Sequence, residues 1–114
     1  MPNTERISKN EQFSLSSGEL TIKSIPGDAH LTTSRIYLNG NLIKNGTGLV
    51  EALNRAKSGD QIFIIATINL PDGGSDFASL SIQMNDTQNS DHWDYTSKAQ
   101  AYDEVIYEVT INLN

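Results

Sequence analysis

Near the C-terminus, Val105, Tyr107, Val109, Ile111 and Leu113 alternate with Ile106, Glu108, Thr110 and Asn112. Side chains of a strand point to opposite faces in turn, so this spacing gathers the odd positions on one face. The same residues on a helix would be spread around the axis. A strand with one buried face is therefore the reading, and it sets the pattern for most of the chain. Ile62-Phe63-Ile64-Ile65-Ala66-Thr67-Ile68-Asn69-Leu70 is more continuously apolar and rich in β-branched residues. It is bounded by Gly59-Asp60 and Pro71-Asp72-Gly73-Gly74, which predicts a central strand. Shorter alternating runs occur at Phe13–Leu15, Leu20–Ile25, Arg35–Leu38 and Leu80–Met84, separated by turn residues such as Pro26-Gly27-Asp28 and Asn45-Gly46.

Asn39-Gly40, between Ile36-Tyr37-Leu38 and Leu42-Ile43, is the strongest hairpin signal, because a type I′ turn needs positive φ at both central residues. One helix is expected near 48–57. Leu49, Ala52, Leu53 and Ala56 share a helical face there, with Thr47 as N-cap and Gly59 as terminator. No long helical crossover exists to connect parallel strands. The predicted architecture is thus a mainly β protein: an antiparallel β-sandwich, immunoglobulin-like or related, with one short helix. Residues 1–11 are polar enough to form a flexible arm, leaving 12–114 as a single domain.

At 114 residues the chain can bury one core without staples. The absence of cysteine removes disulfides, thiolate nucleophiles and Cys-ligated metal sites. Met1–Arg6 are polar and lead into no apolar run, so neither a secretory signal nor a membrane-spanning segment is expected. A cytoplasmic location follows if the chain is complete, a periplasmic or secreted one if a leader has been removed. Charge is uneven: residues 1–57 hold seven Lys/Arg and five Asp/Glu, whereas 58–114 hold one Lys and nine Asp/Glu. The net charge of −6 and the scatter of Lys9, Lys23, Arg35 and Lys44 over separate elements disfavour direct nucleic-acid binding. A surface of one sign points instead to a partner of the other, either a basic protein or a cation.

The densest polar chemistry lies in Asn85–Tyr95, read as an acidic loop, where Asp86, Asp91, His92 and Asp94 fall close together beside Trp93 and Tyr95. Acids can steer a basic partner while aromatics supply buried area. The expected contacts are Asp72, Asp76, Asp91, Trp93, Asp94 and Tyr95, and the expected function is a non-enzymatic protein-protein interaction module. An alternative uses Asp86, Asp91, Asp94 and Asp103 as oxygen ligands of calcium, in a calcium- or carbohydrate-binding module. The spacing, however, is not that of an EF-hand. A further alternative is an acidic inhibitor imitating nucleic acid. No catalytic residues are expected. His30 and His92 are the only imidazoles, and Ser90, Asp91 and His92 are chain neighbours, which rarely face one another in triad geometry. No cofactor is called for outside the calcium alternative, and oligomeric state is not legible.

Two stretches resemble known modules. Gly18-Glu19-Leu20-Thr21-Ile22-Lys23-Ser24-Ile25-Pro26-Gly27-Asp28-Ala29, followed by Ile36-Tyr37-Leu38-Asn39-Gly40, resembles the opening of PEGA-type β-sandwich modules, with His30–Arg35 inserted. Gly59–Ile64, Leu70–Gly74 and Leu80–Ile82, within 59–84, are similar to the C-terminal β-domains of gliding-motility and type IX secretion shaft proteins. Both resemblances imply β-domains that bind or space other proteins without catalysis.

Overall fold

The structure is a computed structural model, which describes residues 4–26, 31–46, 49–69, 77–98 and 104–114. Nine strands follow in order: β1 Thr4–Phe13, β2 Leu20–Pro26, β3 Leu31–Leu38, β4 Asn41–Gly46, β5 Leu49–Leu53, β6 Gln61–Asn69, β7 Phe77–Asn85, β8 Ser90–Lys98 and β9 Glu104–Leu113. They form a five-stranded sheet of order β1-β9-β6-β3-β4 and a four-stranded sheet of order β5-β2-β7-β8. The two pack as a β-sandwich, because each alternating strand turns its apolar set to the same interior. From the larger sheet come Phe13, Ile36, Ile62, Ile64, Ala66, Ile68, Val105, Tyr107, Val109, Ile111 and Leu113. From the smaller come Leu20, Ile22, Ala78, Leu80, Ile82 and Met84, all buried in one cluster. Leu38 is only partly buried at the end of β3.

Of the run 62–70, residues 62–69 do supply the central strand: β6 pairs with β9 on one side and β3 on the other, and Leu70 lies outside the described residues. Asn39 and Gly40 both take positive φ, 49° and 85°, and Leu38 pairs with Asn41, as a two-residue hairpin requires. The Asn39 side chain then reaches past its own turn. Its Oδ1 accepts the Gln61 N–H at 2.8 Å, and its Nδ2 donates to Asp60 Oδ1 at 3.0 Å, tying the hairpin to the start of β6. The Asn39 hydrogen bond, helped by the Lys57 N–H and the Lys57 charge, outweighs the cost of burial and lowers the Asp60 pKa. Tyr107 crosses the sandwich, its hydroxyl donating to the Ala78 carbonyl at 2.7 Å, so a buried phenol is satisfied by the opposite sheet.

Four expectations are corrected. No helix occurs among the described residues, and the segment expected to form one contains β5, paired antiparallel with β2 from Leu20↔Leu53 to Ser24↔Leu49. A nine-residue amphipathic stretch cannot offset its own nucleation cost, whereas β2 offers a ready ladder. Leu49, Glu51 and Leu53 are equally spaced for a strand. Gly59, at φ 96°, sits in the turn that leads to Asp60 rather than closing a helix; Thr47 lies outside the described residues. The expected arm is largely β1, whose ten residues pair with β9 from Thr4↔Glu104 to Phe13↔Leu113. That pairing is parallel, so the larger sheet is mixed rather than antiparallel. Two strands at opposite ends of a chain share no short connection, and nothing forces them to run opposite ways. Lastly, most of the expected acidic loop is strand: only 86–89 turn, and Ser90 onward is β8. Among the described residues no helix is long and apolar enough to cross a membrane.

Candidate functional site

Strand β8 carries four of the residues expected to make contacts. Among the described residues it is an edge strand, paired only with β7 from Asn85↔Ser90 to Phe77↔Lys98 without a register shift. Its alternation sorts them. Trp93 and Tyr95 stand opposite the buried Ile82 and Leu80, are half-buried, and pack against the core. His92, Asp94 and Thr96 project from the outer face and are exposed. Asp91 has the parity of Trp93 but lies at the strand's open end, where it is exposed, and its Oδ1 accepts the His92 N–H at 2.8 Å. Asp72 and Asp76 lie outside the described residues.

On the outer face Asp94 is the hub. Ser81, directly opposite on β7, donates its hydroxyl to Asp94 Oδ1 at 2.6 Å, and His92 Nε2 lies 3.7 Å from Asp94 Oδ2. The carboxylate stands between hydroxyl and imidazole. In a nucleophilic triad the imidazole must stand between the other two, so this arrangement does not activate Ser81. A groove of about 520 Å³ opens beside these residues, lined by Gln83, Met84, Asn85, Ser90, Asp91 and His92.

Two residues of β1 complete the site on the interior side of the same edge. Tyr95 donates its hydroxyl to Glu11 Oε2 at 2.5 Å, and Lys9 Nζ lies 5.8 Å from the Tyr95 ring centre. Tyr95 also stacks on Tyr107, with ring centroids 6.0 Å apart. Burial, then the hydrogen bond to Glu11 and its charge, raise the Tyr95 pKa far above its usual range, so this phenol stays neutral. Sequence reasoning missed Lys9 and Glu11, because both fall in the stretch read as an arm. The one local signal was Ile7 and Phe13 at even spacing, too sparse to announce a strand.

The three described members of the calcium ligand set, Asp86, Asp91 and Asp94, are not grouped. Asp86 sits in the β7–β8 turn with both oxygens engaged. Oδ1 accepts the Ser16 hydroxyl at 2.6 Å and the N–H groups of Gln88 and Asn89 at 2.9 and 2.7 Å, while Oδ2 accepts the Ser16 N–H at 2.6 Å. Desolvation works to raise its pKa, but these bonds prevail and hold the carboxyl well below the usual range. Asp91 and Asp94, three apart on a strand, have opposite parity, and Asp103 lies outside the described residues. Among the described residues no three His, Cys, Asp or Glu side chains are grouped to hold a metal.

A second surface was also not foreseen. On the outer face of the larger sheet, Phe63 and Ile65 of β6 are half-buried beside Tyr37, whose ring centroid lies 6.1 Å from that of Phe63, with Leu42 half-exposed next to it. No protein-family model, curated protein or solved structure matches this chain.

Proposed function

We propose that this chain is a non-enzymatic protein-interaction module that engages a basic partner through the β8 side of the sandwich. The observation that carries the reading is the make-up of that one strand: exposed Asp91 and Asp94 beside half-buried Trp93 and Tyr95. Exposed carboxylates act over a Debye length, about 8 Å at physiological salt, so they accelerate and orient encounter with a positive surface. The partly covered rings then supply apolar area that a partner can finish burying. The acidic net charge of −6 extends the same attraction beyond the contact itself.

Trp93 is the only tryptophan in the chain, so its emission reports on the site directly. Titration with a lysine-rich polypeptide at low salt should shift that emission. The apparent affinity should fall steeply toward physiological salt and drop again in the Asp91→Asn/Asp94→Asn double variant. Binding that ignores both salt and the two substitutions would refute the reading.

A further inference from the structure

The open edge of β8 has a property that its charges alone do not explain. The other three sheet edges are each blunted by a recognised device against strand pairing. β5 has five residues and turns Glu51 toward the interior side, since Glu51 pairs with the buried Ile22. β4 has six residues and a register shift opposite Ile36/Tyr37. β1 alternates Glu5, Lys9 and Glu11 on the interior side of its edge. β8 is nine residues long and unbroken in register. Trp93, Tyr95 and Ser97 occupy its central interior-side positions, with the charge of Asp91 only toward one end.

The ladder alternation identifies which backbone groups are available. His92 gives its N–H to the neighbouring Asp91 carboxylate, as an N–H directed away from β7 would. In an antiparallel ladder every second residue has that orientation, so the N–H and C=O groups of Asp94 and Thr96 face the open edge as well. An extended chain laid beside β8 would pair with those groups and continue the four-stranded sheet.

We propose that β8 docks an extended basic segment of a partner protein by strand addition, with lysine or arginine alternating with aliphatic residues. This rests on the reading of β8 as the interaction surface and specifies its mode. The alternation follows from the two faces of the strand. Basic side chains on the outer face would lie beside Asp94, while aliphatic ones on the inner face would cover the exposed parts of Trp93 and Tyr95 at the rim where β1 approaches. Charge decides the occupant. A second copy would bring another chain of net charge −6 to the same edge, whereas a basic segment is attracted to it. The acids thus act as both lure and guard.

The probe is an acetylated, amidated heptapeptide of alternating lysine and valine, titrated into the intact chain at low salt and followed by Trp93 emission. Two further peptides carry backbone N-methyl groups on alternate residues, one in each phase. These leave charge and side chains in place but block one hydrogen-bonding edge. Strand addition predicts that one phase weakens binding at least tenfold, a loss of about 1.4 kcal/mol or more, while the other binds within about threefold of the parent. Thr96→Pro, which removes an open-edge N–H without touching the β7 ladder, should weaken the parent peptide similarly, with Thr96→Ala as its control. Equal binding of all three peptides would overturn strand addition and leave the acidic-surface reading standing. Absence of any binding, together with failure of the lysine-rich polypeptide, would overturn both. Concentration-dependent dimerisation abolished by Thr96→Pro would overturn the choice of occupant in favour of a second copy.

Discussion

Replacing Asp86 tests whether a single carboxylate pins two parts of this sandwich together. Its four accepted hydrogen bonds divide into two kinds: those from Gln88 and Asn89 shape the β7–β8 turn, and those from Ser16 fasten that turn to the β1–β2 connection. Hydrogen bonds to a charged group are worth about 1.5–3 kcal/mol each when shielded. Asp86 is partly exposed, so water recovers much of that, and about 0.5–0.8 kcal/mol per bond is the fairer figure. Asp86→Ala should then cost about 2–3 kcal/mol. For 114 residues the unfolding entropy is about 0.24 kcal/mol/K, so Tm should fall by about 8–13 °C in a calorimetric scan. Asp86→Asn should fall less, since one oxygen can still accept in the turn while the Ser16 N–H loses its acceptor. The pH dependence follows in sign. The folded pKa is depressed below 3.8, so the unfolded chain takes up the proton first, and the contribution is present above pH 3.8 and lost as pH falls below it. Both variants should flatten the acid limb of the stability curve in that window. A Tm within about 2 °C of the parent for Asp86→Ala, with an unchanged acid limb, would mean that the carboxylate pins neither the turn nor the β1–β2 connection.

Three other outcomes follow. Tyr107→Phe removes the bond from one sheet to the Ala78 carbonyl of the other and should cost about 0.5–1.5 kcal/mol in urea unfolding. Burial and the nearby Glu5 charge push the Tyr107 pKa from 10.0 up to about 12, so its contribution is intact below pH 10 and lost as pH rises toward 12, a base limb that the variant should lack. The hydroxyls of Ser24 and Ser34 are buried without a hydrogen-bond partner among the described residues, so Ser24→Ala and Ser34→Ala should be neutral or stabilise by up to about 1–2 kcal/mol, whereas a clear loss would mean that each hydroxyl is satisfied in solution. Calcium should leave Tm unchanged. A rise of several degrees that disappears with chelator and in Asp91→Asn/Asp94→Asn would restore the metal reading.

How much of this was legible depends on where each strand finds its partner. β6, β7 and β9 announce themselves because their inner faces are uniformly apolar, and the Asn39-Gly40 turn because few other residue pairs accept two positive φ values. The strands that escaped notice are three of the four sheet edges. β1 has only Ile7 and Phe13 to mark its interior side, and its partner lies at the far end of the chain. In β8 the alternation of Trp93 and Tyr95 with His92 and Asp94 is present, but Asp91 and Asp94 within it and Asn85, Asp86 and Asn89 just before it, residue types depleted from strands, mask it. The uncharged apolar face of β7 supplies the stabilisation that propensity withholds. β5 is short enough for helical and strand spacing to fit equally, and β2 decides between them. The acidic residues were found, but their arrangement was not, since the faces to which Asp91 and Asp94 belong depend on Ser90–Lys98 being a strand.

The claim that β8 is the interaction strand is tested most directly by amide chemical-shift mapping of the isotopically labelled chain during titration with the alternating lysine–valine peptide. Perturbations should concentrate at His92, Trp93, Asp94, Tyr95 and Thr96, with smaller ones at Lys9 and Glu11, which pack against Tyr95. Perturbations centred instead on Tyr37, Phe63 and Ile65, on the outer face of the larger sheet, with β8 silent, would contradict it.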